Sequence, residues 1–178
     1  TPVVTIEVHI SGGLPSFSIV GLPEGAVRES KDRVRSALMN SQFKLPKGRI
    51  TVSLAPANLP KHGGRYDLPI ALGVLLASGQ LKPNIDITQF EFYGELGLDG
   101  LMHPTEGLLP AVIEAHKQKH GLVIPDENYE QCALVETAQV LPAKHLLQVC
   151  EFITGVSELK TPAVQIETSI KYSNDFSQ

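Results

Sequence analysis

The sequence predicts an α/β domain, and three observations carry that prediction. Residues Arg49 to Ser78 read as a buried strand, a loop punctuated by glycine and proline, and then an apolar helix. Val4, Ile6, Val8 and Ile10 alternate with polar residues, the period of a half-buried strand. Later strand-like runs (Phe90 to Leu96, Leu122 to Pro125) alternate with helical ones, the signature of an α/β chain.

The first strand, Val3 to Ile10, is followed by Ser11-Gly12-Gly13-Leu14-Pro15-Ser16 and a second strand, Phe17 to Val20. The pair is expected to be a β-hairpin with a glycine-rich turn, and the first strand is expected to have further residues upstream. Pro23 and Glu24 suit the first turn of a helix reaching to about Ser41. Val27, Val34, Ala37 and Leu38 share its core face. Arg28, Lys31 and Arg35 form a flanking basic stripe. The plainer reading of that stripe is a solvated face; the sharper one is a contact for phosphates or for an acidic neighbouring subunit.

A turn around Pro46 leads to the third strand, Arg49 to Leu54. The loop from Ala55 to Tyr66 gathers Lys61, His62 and Arg65 beside Gly63 and Gly64. Those side chains could hold an anion, or the glycines could simply permit a tight turn under solvated charges. Helix N-termini favour negative charge, so a strand-loop-helix unit is where many α/β proteins place a phosphate or a nucleophile. No Ser, Thr or Cys lies between Leu54 and Ile70, and Gly63-Gly64 is not followed by Lys-Ser/Thr, so the loop has the shape of an active centre without its reactive group.

The helix from Asp67 to about Gly79 is apolar on nearly every side and should lie deep in the domain, with Pro69 harmless in its first turn and Asp67 as its N-cap. Phe90 to Leu96 and Leu98 to His103 read as paired strands, joined through Gly97 or through a tight turn at Leu98-Asp99-Gly100. A helix runs from Thr105-Glu106-Gly107 to about His120, with Leu109, Val112, Ile113 and His116 inside or near it. Leu122 to Pro125 is a short buried strand, Asp126 caps a brief helix through Cys132, Ala138 to Leu141 is another strand, and a helix over 143–153 completes the core. From Thr154 on the chain turns polar and unpatterned, and residues 156–178 read as a linker.

A length of 178 residues suits one domain of ordinary size. With 15 basic and 19 acidic residues the net charge is −4, so the surface as a whole is not a polyanion binder and any nucleic-acid contact must be a local patch. The 2 cysteines, Cys132 and Cys150, are too few for a disulfide framework, and with no signal segment a cytoplasmic setting is expected. His116 and His120 have a metal-ligand spacing, but the intervening Lys-Gln-Lys, the lack of an adjacent glutamate base and the lack of a third ligand read as a solvated helix face. Glu91, Glu95 and Asp99 read as the wet face of a hairpin. No catalytic, metal or cofactor site is expected.

Two resemblances extend this reading. Gly94-Glu95-Leu96-Gly97-Leu98-Asp99-Gly100, then Gly107 to Ala115, then Leu122-Val123-Ile124-Pro125 resemble the order of elements in the Lon-type protease domain. The fold this implies is the ribosomal-protein-S5-domain-2-like α/β sandwich. Lon-type proteases use a Ser–Lys dyad; the resemblance places Asp67 at the serine position and Leu109 at the lysine position. A carboxylate is a poor nucleophile toward amides and leucine accepts no proton, so the resemblance implies loss of that chemistry.

The closer resemblance is carried by Val4 to His9, Val20-Gly21-Leu22-Pro23, Arg33 to Leu38, Leu54 to Lys61 and Gly63 to Ala71. These blocks resemble the N-terminal domain of the ComM/YifB family of magnesium-chelatase-like AAA+ proteins over residues 1–155. The resemblance implies a hexameric parent whose ATPase module, needing ATP and Mg, follows Asn174 to Gln178, and which drives branch migration of DNA in natural transformation. On that reading the domain organises the ring and contacts DNA through Lys61, His62 and Arg65, with Arg28, Lys31 and Arg35 second. Two other readings stand beside it: a purely structural oligomerisation or docking domain, and a residual hydrolase using Asp67 as general base.

Overall fold

The computed structural model describes residues 3–162. The expected linker beyond residue 162, the approach to a motor at Asn174 to Gln178 and any strand upstream of Val3 lie outside the described residues. Two three-stranded sheets carry the fold. The first is built from β1 (Thr5–Ser11), β2 (Ser16–Val20) and β3 (Arg49–Ala55) in the order β1-β3-β2. β3 is antiparallel to β1 and parallel to β2. The expected β1–β2 hairpin therefore does not form, because β3 inserts between the two strands and takes the hydrogen bonds of both. The central strand has the more thoroughly buried inner face, with Ile50, Val52 and Leu54 all in the core, and a central place removes both of its edges from water.

Between β2 and β3 the chain forms a short helix α1 (Gly25–Arg28) and then α2 (Ser30–Asn40). The single helix expected here breaks at Glu29, while Val27, Val34, Ala37 and Leu38 are buried as anticipated. α3 (Asp67–Ala77) packs against β1 and α2, and Gly73 leaves the space in which Val8 of β1 sits. Leu68, Ile70, Ala71, Val74 and Leu75 are fully buried, which explains the helix's lack of a polar face. Gly21 lies against the Leu54 carbonyl with φ +109, so a side chain there would meet backbone on one side and strain on the other.

After the apolar helix, β4 (Phe90–Phe92) joins a second sheet, while β5 (Glu95–Leu96) and β6 (Met102–His103) form a small antiparallel ladder closed by the expected turn, with Gly100 N donating to the Gly97 carbonyl at 2.9 Å. The long strand expected over Phe90 to Leu96 is thus split between two sheets. α4 (Leu108–Lys117) follows, then β7 (Gly121–Pro125), α5 (Tyr129–Cys132), β8 (Val140–Ala143) and α6 (Leu146–Thr154). The second sheet has the order β4-β7-β8 and is parallel throughout. Every residue of its central strand β7 is buried.

In α4, Leu108, Ala111, Val112 and Ala115 are buried, whereas Ile113 and His116 are exposed. The buried set steps by three and four residues from Leu108, the first residue of the helix, which puts all four on one face. Asp126 does not cap the helix near Cys132; it opens a 3-10 turn over Asp126–Asn128 instead. α6 ends on Gly155 in the left-handed region, a helix stop that glycine adopts without strain.

Both cysteines are buried and free. Burial raises the Cys132 thiol, and burial followed by the Glu151 charge pushes Cys150 up to about 12. The thiolate is the reactive form, so at pH 8 only about one Cys150 in 10⁴ is primed to react. Neither cysteine should take iodoacetamide in the native chain, and both should in denaturant; mass spectrometry after a timed pulse reads the difference. Labelling of native Cys150 within minutes would contradict the burial.

Candidate functional site

The loop from Ala55 to Tyr66 is fastened to the segment after β2. Lys61 N donates to the Leu22 carbonyl at 3.1 Å and Glu24 N donates to the Lys61 carbonyl at 2.9 Å. The side chain follows the backbone inward: Lys61 is fully buried, and its ammonium donates to the Gly21 carbonyl at 2.6 Å and to the Pro56 carbonyl. This corrects the assignment of Lys61 as a phosphate contact, because the charge points into the fold and its donors serve two backbone oxygens. His62 is exposed. Arg65 is half-buried; its Nη2 donates to the Glu106 carbonyl at 2.7 Å and the Gly107 carbonyl at 3.2 Å, and its guanidinium stands 5.8 Å from the centre of the Tyr93 ring. Arg65 thus ties the loop to the segment that opens α4.

The start of α3 is equally occupied. Asp67 N donates to the Gly64 carbonyl at 3.1 Å, Leu68 N to the Gly94 carbonyl at 3.0 Å and Ile70 N to the Tyr66 carbonyl at 3.0 Å. Pro69 has no N–H to offer. A helix end attracts an anion through unpaired donors, and in this first turn each is taken by the chain itself.

Asp67 is not the N-cap. Tyr66 holds that position without a side-chain bond, and the fully buried Asp67 carboxylate turns toward α2 and β5. Its Oδ2 accepts from Arg33 Nε at 2.6 Å and from Leu96 N at 3.1 Å; its Oδ1 accepts from Arg33 Nη2 at 3.1 Å and from the Ser30 hydroxyl. Burial raises the Asp67 carboxyl above its ordinary value, against the pull of Arg33, Ser30 and the Leu96 amide, while the hydrogen bond to Asp67 drives the Arg33 guanidinium further up. A permanently charged fork seated on both oxygens keeps the group a carboxylate at neutral pH. Arg33 also donates to the Ala26 carbonyl at 2.6 Å, and Glu29 and Glu95 flank it at 3.4 and 4.0 Å.

Arg33 is the residue that the reading of the basic stripe passed over. Its signal was helical spacing: Ser30, Arg33, Ala37 and Ser41 step by three and four residues along the face that buries Val34 and Leu38. Arg28, Lys31 and Arg35 do stay exposed, interleaved with exposed Glu29 and Asp32, and Arg35 Nη1 lies 3.9 Å from Asp32 Oδ1. Leu109 is half-buried in the first turn of α4. His120 bonds Glu91 at 2.9 Å and His116 bonds Thr137 at 3.2 Å, so the two imidazoles serve different partners. Glu91 also accepts from the Tyr93 hydroxyl at 2.6 Å and is mostly buried, which removes it from any wet face.

The family model described as subunit ChlI of Mg-chelatase matches residues 6–128. This chain belongs to that family. Within it the sequence falls with the ComM/YifB proteins. It is 52% identical to the competence protein ComM of Haemophilus influenzae over 158 residues, covering 89% of this chain and 31% of that protein. It is 43% identical over 176 residues to the uncharacterized protein YifB of Escherichia coli, covering 99% of this chain and 35% of that one. Identity to the uncharacterized protein Rv2897c of Mycobacterium tuberculosis is 37% over 174 residues, 97% of this chain and 34% of that protein. The chain therefore spans about a third of the length of the curated relatives it matches. The ChlI and ComM relationships make the family AAA+ ATPase-like, and the α/β architecture agrees with a ChlI- or Lon-like domain. Among the described residues no helix is long and apolar enough to cross a membrane.

Proposed function

We propose that this chain is the non-catalytic N-terminal domain, over residues 1–155, of a hexameric AAA+ ATPase that organises the ring and contacts DNA during branch migration. The observation that carries the reading is the Asp67–Arg33–Ser30 cluster. At the position where the Lon-type resemblance puts a nucleophile, a buried carboxylate is held by a guanidinium, a hydroxyl and an amide, and Leu109 supplies no base. These groups lock α2, α3 and β5 together instead of facing substrate. ATP and Mg belong, on this reading, to a module beyond the chain, and residues 156–178 lead toward it. The name of the Haemophilus influenzae relative, a competence protein, supports a role in natural transformation.

DNA contact falls to exposed side chains: the cations Arg28, Lys31 and Arg35 on α1 and α2, and the imidazole of His62 in the loop. Each phosphate neutralised should add about 0.9 to the slope of log affinity against log salt. In the full-length protein, Arg28→Ala with Arg35→Ala should lower that slope by about 1.8 while the ring persists in sedimentation. An unchanged slope would remove α1 and α2 from the DNA contact.

A second reading, a docking surface without DNA, is favoured by one observation: Glu29 and Asp32 interleave with the cations and Asp32 already engages Arg35, a mixed-charge pattern that suits a neighbouring subunit better than a polyanion. Charge reversal at Arg28 and Arg35 then dissolves the ring, and DNA affinity falls only with it.

A further inference from the structure

Leu22 stands in a conformation that leucine rarely adopts. Its φ is +54°, in the left-handed region that a Cβ disfavours, and it is 52% exposed. The backbone is fixed on both sides of it. Lys61 N donates to the Leu22 carbonyl, the buried Lys61 ammonium donates to the Gly21 carbonyl, and Glu24 N donates to the Lys61 carbonyl. Strain of this kind persists only where the surroundings over-determine it, and it clusters at binding and switch sites. A hollow of about 200 Å³ opens beside Leu22, edged by Pro23, Pro60, Glu24 and Arg28.

A second hollow, wider at about 570 Å³, lies on the other side of α1. Gly25 and Arg28 border the first hollow, whereas Arg33 of the second donates to the Ala26 carbonyl and to Glu29. Leu96, Leu98 and Pro104 give the second an apolar lining, with Arg33, Glu95 and His103 around it. Leu98 is exposed, as Leu22 is, and it too is held in place, its carbonyl accepting from Asn40 Nδ2 at 2.7 Å. Both hollows are bordered only by residues from Leu22 to Pro104. Their charges differ. Among the described residues Arg28 has no carboxylate within ion-pair reach. The Glu95 side chain is 41% exposed, and the one cation near it, Arg33 at 4.0 Å, is already seated on Asp67.

We propose that the two hollows are the halves of one seam between copies of this chain. Leu22 of one copy sits against Leu96, Leu98 and Pro104 of the next, Leu98 of that copy enters the hollow beside Leu22, and Arg28 faces Glu95 across the rim. The occupant is another copy because each half carries what the other lacks: an unpaired guanidinium on the first, an exposed carboxylate on the second, and one outward leucine apiece. The halves are different surfaces on either side of α1, so the contact is head-to-tail, the kind that closes a ring. The inference rests on the second reading above, in which Arg28 meets a neighbouring subunit, and it gives the buried Lys61 ammonium a purpose: it holds Leu22 outward.

Cross-linking of the full-length protein with a short bismaleimide tests the seam. Each cysteine thiolate adds across one maleimide double bond, so no oxidant is needed, and Cys132 and Cys150 are buried. Leu22→Cys with Leu98→Cys in one chain should give a ladder of covalent oligomers on a denaturing gel. Either variant alone should give no more than the unaltered protein. Leu22→Gly relieves the strain and removes the side chain, so it should leave the urea midpoint no lower while the ring dissociates at about tenfold higher protein concentration. Dimers from Leu22→Cys alone would overturn the proposal, since they place like against like. So would a ring without a ladder in the double variant; if charge reversal at Arg28 and Arg35 still dissolves that ring, the second reading stands and its seam lies elsewhere. Absence of a ring in the unaltered protein would remove both.

Discussion

Replacing Asp67 with alanine should cost about 3–5 kcal/mol of folding stability, the penalty for removing one partner of a buried ion pair and leaving the other. Arg33 is left with its side chain 17% exposed and with the Ala26 carbonyl, Glu29 and the Ser30 hydroxyl oxygen as its remaining acceptors; the Leu96 amide and the Ser30 O–H lose their acceptor altogether. With a urea slope of about 2 kcal/mol per molar, the midpoint should fall by about 2 M. Asp67→Asn keeps the shape and one carbonyl oxygen, so its loss should be smaller. The informative comparison is Asp67→Leu combined with Arg33→Met. If the cluster serves structure alone, removing both charges together restores most of the loss, because well-packed apolar residues replace buried ion pairs at little net cost. A loss below 1 kcal/mol for the alanine variant would contradict the observed burial. Peptide or ester hydrolysis by the domain that Asp67→Asn abolishes would overturn the non-catalytic reading itself.

The strand-loop-helix unit, the buried face of α2 and the deep position of α3 were legible because each is a periodicity, and periodicity reports burial directly. Sheet order was not. The Gly12-Gly13 turn between Ile10 and Phe17 has the local chemistry of a hairpin, and no local signal in Arg49 to Ala55 says that this strand will enter between the other two. The division of Phe90 to Leu96 between two sheets was hidden for the same reason: Tyr93 and Gly94 bond to the Val123 and Arg65 carbonyls, partners distant in sequence. The candidate site was located but misread at the level of side-chain direction. Asp67 sits where a cap would be expected and Arg33 sits within a basic run, and the sequence shows each only as a polar residue at a plausible surface position. The ion pair becomes visible once α2 and α3 are laid side by side, which is tertiary information.

Lys61→Ala separates the two meanings that a lysine in such a loop can have. Were it a phosphate contact, the variant would keep its stability and lose about 0.9 from the salt slope of DNA affinity. The structure sets the opposite expectation. The ammonium is the donor for the Gly21 and Pro56 carbonyls, and each orphaned buried carbonyl costs about 1–3 kcal/mol, with a further term for the cavity left by the aliphatic stem. The domain should therefore lose about 2–5 kcal/mol, read as a shifted urea midpoint, while the salt slope measured below the melting transition of the full-length protein stays unchanged. Lys61→Met keeps the stem and removes only the donor, so it should recover the cavity term and retain the carbonyl penalty. The loss should spread to the segment after β2, because Lys61 also joins that segment through its own N–H and carbonyl. Faster amide exchange at Glu24 and Lys61 in both variants would show that the buried ammonium holds the loop on the sheet; unchanged exchange with a reduced salt slope would return Lys61 to the DNA surface.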